Sequence, residues 1–218
     1  MKYAVLGTGM VGKALASKII SLGHETRMGS RTPDNAAAAE WADSEGALAS
    51  AGDFADAAAF ADVVLLAVKG EHALAVVAAA GEALDGKVLI DITNPLDFSQ
   101  GFPPRLSVCN DDSLGEQIQR AAPKARVVKS LNTLASTLMV EPGKLMDDHD
   151  VFVAGNDVGA KQVVAELLQA FGHADPIDMG GIEAARGLEA WLLLWTRLYG
   201  VLGTGEFNLK LVRNPTES

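Results

Sequence analysis

Near the amino terminus the apolar run Tyr3-Ala4-Val5-Leu6 breaks into Gly7-Thr8-Gly9-Met10-Val11-Gly12. Apolar residues then recur at helical spacing as far as Leu22, where Gly23 stops them. A strand, a glycine turn and a helix in that order constrain what the rest of the chain can build. Gly7, Gly9 and Gly12 stand at the spacing that permits a tight turn, a close approach of backbone to a pyrophosphate, and close packing of helix on sheet. Backbone N–H groups at the helix start then face a phosphate. A plain structural turn is the competing reading, and the flanking strand and helix favour the nucleotide site.

The elements that follow keep alternating. Strands are predicted at 24–28, 47–49, 63–68, 87–92, 126–130, 150–154 and 176–179. Helices are predicted at 35–42, from the Asp53 cap to 61, and at 71–84, 113–122, 158–171 and 182–202, with a short tail at 207–212. The uninterrupted run Val63-Val64-Leu65-Leu66-Ala67-Val68 is what a parallel strand covered on both faces requires. The expected fold is therefore α/β: a doubly wound, mostly parallel sheet of the Rossmann NADP-binding type with a small C-terminal helical extension. The expected division is a dinucleotide-binding domain over 1–154 and an extension over 155–218 that packs on the sheet and the cleft. The looser stretch 98–112, with Pro103-Pro104, reads either as a wall over the strand ends or as a plain connection.

The end of the second strand selects the nucleotide. An NAD site expects an acidic residue about 20 positions beyond the glycines, on the ribose 2′-hydroxyl. This chain has Ser30-Arg31-Thr32 there, a guanidinium fork flanked by two hydroxyls, which suits a 2′-phosphate and hence NADP(H).

A formal net charge of −10 argues against non-specific attraction to nucleic acid or to anionic membrane. The longest apolar stretch, Ala190 to Trp195, is shorter than the roughly 20 residues of a membrane span. One cysteine, Cys109, allows no intrachain disulfide, and no signal-peptide pattern opens the sequence, so a cytoplasmic location is expected.

Groups for acid–base chemistry are sparse. Tyr3 and Tyr199 lack the lysine four positions on that short-chain dehydrogenases use, and the segment Gly180 to Arg186 does not reproduce the catalytic-lysine helix of the β-hydroxyacid dehydrogenases. His72, just beyond the fourth strand, suits capping or orienting more than proton transfer. His24, His149 and His173 read as ordinary polar positions at element ends, and the set lacks metal-ligand spacing, so no metal is expected. Cys109 has no identifiable base and reads as inert. Trp191, Trp195 and Tyr199 recur every four residues, on one helical face. That face serves core or dimer packing, or a wall for a second substrate. With no catalytic residue assigned, hydride exchange with a redox ring fits best, because it needs mainly stacking and orientation.

The glycine turn, Ser30-Arg31, the strand 61–68 followed by Glu71-His72, and the ending Leu202-Gly203-Thr204-Gly205-Glu206-Phe207-Asn208-Leu209-Lys210 resemble NADPH-dependent coenzyme F420 reductases. Val128-Lys129-Ser130-Leu131-Asn132-Thr133-Leu134 is also similar to the NADPH-binding domain of membrane ferric reductases. The resemblance implies NADP across the strand ends with a deazaflavin, coenzyme F420, stacked on the nicotinamide as co-substrate. By position it implies that Thr8, Met10 and Val11 contact the phosphates and that Ser30, Arg31 and Thr32 contact the 2′-phosphate. Val68 and Lys69 would lie beside the ribose and pyrophosphate with His72 nearby, and Asn94-Pro95 and 132–135, including Asn132, Leu134 and Ala135, would flank the nicotinamide. The aromatic face of the last helix adds the expectation of a homodimer. The anionic tail of such a co-substrate calls for a basic patch from Arg105, Arg186, Arg197 or Arg213. The alternatives are an NADPH-dependent reductase of a small carbonyl or imine, a flavin or ferric reductase-like enzyme, and a non-catalytic NADP-sensing module.

Overall fold

In the computed structural model, which describes residues 1–212 and 214, β1 (Tyr3–Leu6) passes through the glycine turn into α1 (Met10–Ser21). The chain continues as β2 (Thr26–Ser30), α2 (Ala36–Glu45), β3 (Ala49–Asp53), α3 (Phe54–Phe60), β4 (Val63–Leu66), α4 (Gly70–Ala80) and β5 (Val88–Asp91). A small antiparallel hairpin, β6 (Leu96–Asp97) and β7 (Arg105–Leu106), precedes α5 (Leu114–Ala121), β8 (Arg126–Ser130) and α6 (Ser136–Val140). Then come β9 (Phe152–Ala154), α7 (Val158–Phe171), β10 (Ile177–Asp178) and α8 (Ala185–Leu202).

Eight strands form one sheet in the order β10-β9-β8-β5-β4-β1-β2-β3. From β3 to β8 every pairing is parallel; β9 is antiparallel to β8, and β10 parallels β9. The chain winds outward from β1 to β3 and then returns to place β4 on the other side of β1. That reversal is the topological switch point at which such sheets bind ligands, beyond the carboxyl ends of the strands.

The pleat explains the layers. Val63 and Leu65 join a core with Leu15, Ile19, Val164 and Phe171 on one face, while Val64 and Leu66 join Ala57, Val76 and Ile118 on the other. Both faces are thus covered, as an apolar parallel strand demands. Short polar side chains start the helices: Asn35, Asp53, Ser113 and Asp157 accept from the backbone N–H groups of Ala38, Asp56, Glu116 and Ala160.

Several expectations need correction. β2 begins two residues late and runs on to Ser30, and β3 occupies Ala49–Asp53 rather than 47–49, because edge pairing of Thr26 with Ala49 sets its register. The stretch 98–112 contains β7 and closes a hairpin. α6 carries no side-chain cap and packs on α1, so tertiary contact rather than local sequence forms it. His149 and His173, read as ordinary polar positions at element ends, are buried and meet edge to face at 6.1 Å. Among the described residues, no helix is long and apolar enough to cross a membrane.

Candidate functional site

Gly7 ends β1 at φ +130°, a backbone that side chains rarely adopt, and a methyl group there would strike the Ala67 carbonyl oxygen at the end of β4. A methyl group at Gly12 would in turn strike the Gly7 carbonyl. These two glycines let α1 pack tightly against the switch point. Gly9 differs: a methyl group there meets nothing within 4 Å, so its glycine leaves open space above the helix start. α1 has no side-chain cap and no acidic residue in its first turn, and the amides of Met10, Val11 and Gly12 precede the bond from Lys13 N–H to Gly9. Thr8 is half-buried, Met10 is exposed and Val11 packs toward the core.

At the end of β2, Ser30 is buried and its hydroxyl donates to the Thr32 carbonyl at 2.5 Å. The turn so held leaves Arg31 and Thr32 exposed, and among the described residues Arg31 enters no ion pair. Gly29 before them leaves room for β1 and α3: a methyl group would lie 2.6 Å from the Leu6 side chain and 2.9 Å from that of Ala57.

β4 leads through Ala67 and Val68 to Lys69, the exposed residue that starts α4. Gly70 allows α4 to abut the Asn94 carbonyl. His72 is exposed, with Nε2 3.8 Å from the Glu71 carboxylate.

The ends of β5 and β8 are tied together. Asn94 Nδ2 donates to the Asn132 carbonyl at 2.8 Å, and Asn132 Nδ2 donates to Asn94 Oδ1 at 2.9 Å and to the Leu188 carbonyl at 3.1 Å. Leu131 turns through φ +61° to present Asn132, and Pro95, Thr133 and Leu134 are buried beside it, with Ala135 starting α6. The sequence-predicted residues at the ends of β1, β2, β4, β5 and β8 therefore gather along one edge of the sheet.

Beneath that edge lies a cluster that sequence reasoning did not single out. Lys129 Nζ, fully buried in β8, is 2.9 Å from Asp91, 2.8 Å from Glu189 on α8 and 2.5 Å from the Thr93 carbonyl. Asp91 also accepts from Thr93 N–H and hydroxyl at 2.9 and 2.6 Å. Glu189 takes the N–H groups of Leu114 and Gly115, at the start of α5, at 2.9 Å each. Burial pulls the Lys129 pKa down, but the two carboxylates outweigh it and hold the ammonium above its ordinary value. The signal was present: Lys129 and Asp91 each stand within an apolar strand.

α8 and the tail after it carry an aromatic stack. Trp195 lies 5.5 Å from Tyr199 and 5.3 Å from Phe207, nearly parallel to the first ring. Gly205 fits between this stack and the β8 loop: a methyl group there would be 3.2 Å from Ala135 Cβ and 3.4 Å from the Trp195 ring. The tail is fastened by Asn208 to the Asp150 carbonyl at 2.8 Å and to His149 Nδ1 at 2.7 Å. Of the expected basic residues, Arg186 is taken by Glu116 in a two-pronged pair, Arg105 and Arg197 line one cleft, and Arg213 lies outside the described residues.

Comparisons with known proteins agree with this architecture. The family model for NADP oxidoreductase coenzyme F420-dependent matches residues 2–95. The F420-dependent NADP reductase of Methanothermobacter marburgensis is 33% identical over 199 residues, covering 87% of this chain and 88% of that one. A solved structure from Arthrobacter sp. FB24, provisionally described as an F420-dependent NADP reductase, is 49% identical with a TM-score of 0.93, covering 98% of this chain and all of that one. Metalloreductase STEAP3 of Rattus norvegicus is 29% identical over 87% of this chain, which spans 36% of the rat protein's length. The chain belongs to the family of coenzyme F420-dependent NADP oxidoreductases.

Proposed function

We propose that the protein transfers hydride between NADP(H) and a deazaflavin of the coenzyme F420 type, with the two rings held face to face at the carboxyl edge of the sheet. The observation that carries this reading is the Trp195–Tyr199–Phe207 stack set, through Gly205, against Ala135 in the loop proposed to flank the nicotinamide. A flat aromatic wall at that point suits a planar ring substrate better than a small carbonyl.

In this reading Gly7, Gly9 and Gly12 shape the pyrophosphate seat, and the amides of Met10 and Val11 with Thr8 bind it. Arg31 and Thr32 hold the 2′-phosphate, and Ser30 keeps their turn in shape by its bond to Thr32. Val68 and Lys69 border the ribose and pyrophosphate, with His72 at the rim. Asn94, Pro95, Asn132, Leu134 and Ala135 position the nicotinamide. NADPH, when bound, would supply the hydride and the deazaflavin would take it up with one solvent proton, leaving NADP⁺, so the chain itself has to orient the rings and exclude water. Within the extension proposed for 155–218, Trp195, Tyr199 and Phe207 supply the second-substrate wall to the dinucleotide-binding part proposed for 1–154. The exposed apolar side chains Leu193, Leu194, Val201 and Leu202 on α8 support pairing of two copies, and the lone, exposed Cys109 accords with a cytoplasmic site.

Mixing the protein with NADPH and oxidised deazaflavin and following deazaflavin absorbance tests the reading. Bleaching that depends on both enzyme and NADPH is expected. Turnover of carbonyls or imines with no deazaflavin reaction would overturn it.

A further inference from the structure

We propose that Lys129 and Glu189 are positioning residues for hydride transfer, a buried pair that sets α8 against the sheet and thereby fixes the two rings relative to each other. This rests on the ring-to-ring transfer proposed above and adds the residues that align it. Both side chains are withdrawn from water, so they act through the groups they hold.

The contacts form two closed circuits that share Lys129 and Asn132. In the first, Lys129 Nζ meets Glu189 at 2.8 Å, and the preceding residue of α8, Leu188, accepts at its carbonyl from Asn132 Nδ2 at 3.1 Å. In the second, Lys129 Nζ donates to the Thr93 carbonyl at 2.5 Å, and the following residue, Asn94, exchanges two hydrogen bonds with Asn132. The end of β8 thus holds both α8 and the end of β5 twice, once through the buried ammonium and once through the Asn132 amide at the edge. Asn94 and Asn132 are the residues proposed to position the nicotinamide, so each circuit runs through that seat.

Glu189 fixes α8 on a second side as well, because its two oxygens accept from the N–H groups of Leu114 and Gly115 at the start of α5, at 2.9 Å each. A carboxylate held between a strand and another helix leaves α8 one height and one rotation. Leu188, Trp195 and Tyr199 follow one another at spacings of seven and four along α8, which puts them on one face. Any turn of the helix that loosens Leu188 from Asn132 therefore swings the aromatic wall too. Apolar side chains of similar volume can serve packing as well as a buried ion pair does, whereas the ions here are satisfied in a single arrangement of the three segments. Ring alignment is where such an arrangement matters, since a displacement of about 1 Å caused by a remote change can slow a reaction about a hundredfold.

The test uses the full chain with Glu189→Gln, which turns one oxygen into a donor facing the ammonium or the α5 amides, and with Thr93→Val, which removes only the hydroxyl bond to Asp91. Three quantities are measured below each melting temperature: the Kd for NADPH, the fluorescence of the bound reduced nicotinamide, and the single-turnover rate of deazaflavin reduction with both substrates saturating. Glu189→Gln should bind NADPH within about twofold of the wild-type protein, because the proposed phosphate seats at β1 and β2 are distant from the cluster. It should nonetheless transfer hydride at least about tenfold more slowly and show altered nicotinamide emission. Thr93→Val leaves the ions in place and should slow transfer by about threefold, the weight of one neutral hydrogen bond, and it decides the matter if Glu189→Gln does not fold. A folded Glu189→Gln protein with the wild-type rate and emission overturns the proposal, however far its melting temperature falls, and so does a loss of NADPH binding that matches the loss of rate. A wild-type protein that reduces no deazaflavin would instead overturn the proposed function, and the emission of bound NADPH would still test the positioning.

Discussion

The Lys129 ammonium sits 2.8 Å from the Glu189 carboxylate with both side chains withdrawn from water, joining the central sheet to the helix that carries the aromatic wall. One cation against the carboxylates of Asp91 and Glu189 leaves a local excess of negative charge. The N–H groups of Leu114 and Gly115 at the start of α5 complement it. Lys129→Met strands both carboxylates and should destabilise the fold by roughly 3–5 kcal/mol. Glu189→Gln leaves a balanced Lys129–Asp91 pair and should cost less. Thermal melting of the two variants checks the order, and equal losses would contradict the charge argument.

Gly9 and Gly12 should separate binding from folding. A methyl group at Gly12 collides with the Gly7 carbonyl, so Gly12→Ala should lower the melting temperature and weaken NADPH binding together. At Gly9 a methyl group meets nothing in the free protein, so Gly9→Ala should melt near the wild-type temperature yet bind NADPH at least about tenfold more weakly, a loss of about 1.4 kcal/mol. Calorimetric melting and NADPH titration on the same samples decide the matter.

Arg31 should discriminate between the two nicotinamide nucleotides. A charge-assisted hydrogen bond is worth roughly 1.5–3 kcal/mol, so Arg31→Gln should raise the Kd for NADPH by roughly ten- to a hundredfold. The Kd for NADH, which lacks the 2′-phosphate, should change little. Parallel fluorescence titrations show whether the preference collapses.

His173 makes stability depend on pH. Burial lowers its pKa below the ordinary 6.5, opposed by its bond to the Met139 carbonyl and reinforced by nearby His149. The unfolded chain therefore takes up a proton near pH 6.5 that the folded chain still refuses, so stability is full above that pH and falls as the pH drops toward the depressed folded value. The loss is at most about 1.4 kcal/mol per pH unit in that window. Melting curves from pH 7.5 down to about 5 should show a slope that His173→Gln reduces.

How much of this was legible in the sequence depended on whether the cause was local. The glycine turn, the Ser30-Arg31-Thr32 ending and the cap at Asp53 are local devices, and they stand where the sequence reading placed them. The register of β3 was not legible, because it is set by pairing with β2 rather than by its own weak alternation. α6 was missed for the same reason, since five residues without a side-chain cap become helical only when packed on α1. The partners of Lys129 lie 38 and 60 positions away, at Asp91 and Glu189, and spacing along a chain does not announce such meetings. Phe207, which completes the aromatic stack, reaches Trp195 only because Asn208 and Leu209 fasten the tail beside Asp150.

The proposed hydride transfer runs directly from ring to ring. The protein should be given NADPH deuterated at the transferring face of the nicotinamide and one equivalent of oxidised deazaflavin in ordinary water, and the reduced ring analysed by mass spectrometry. The reduced deazaflavin should carry the deuterium. A reduced ring without label, or no reduction in a sample that binds NADPH, would contradict it.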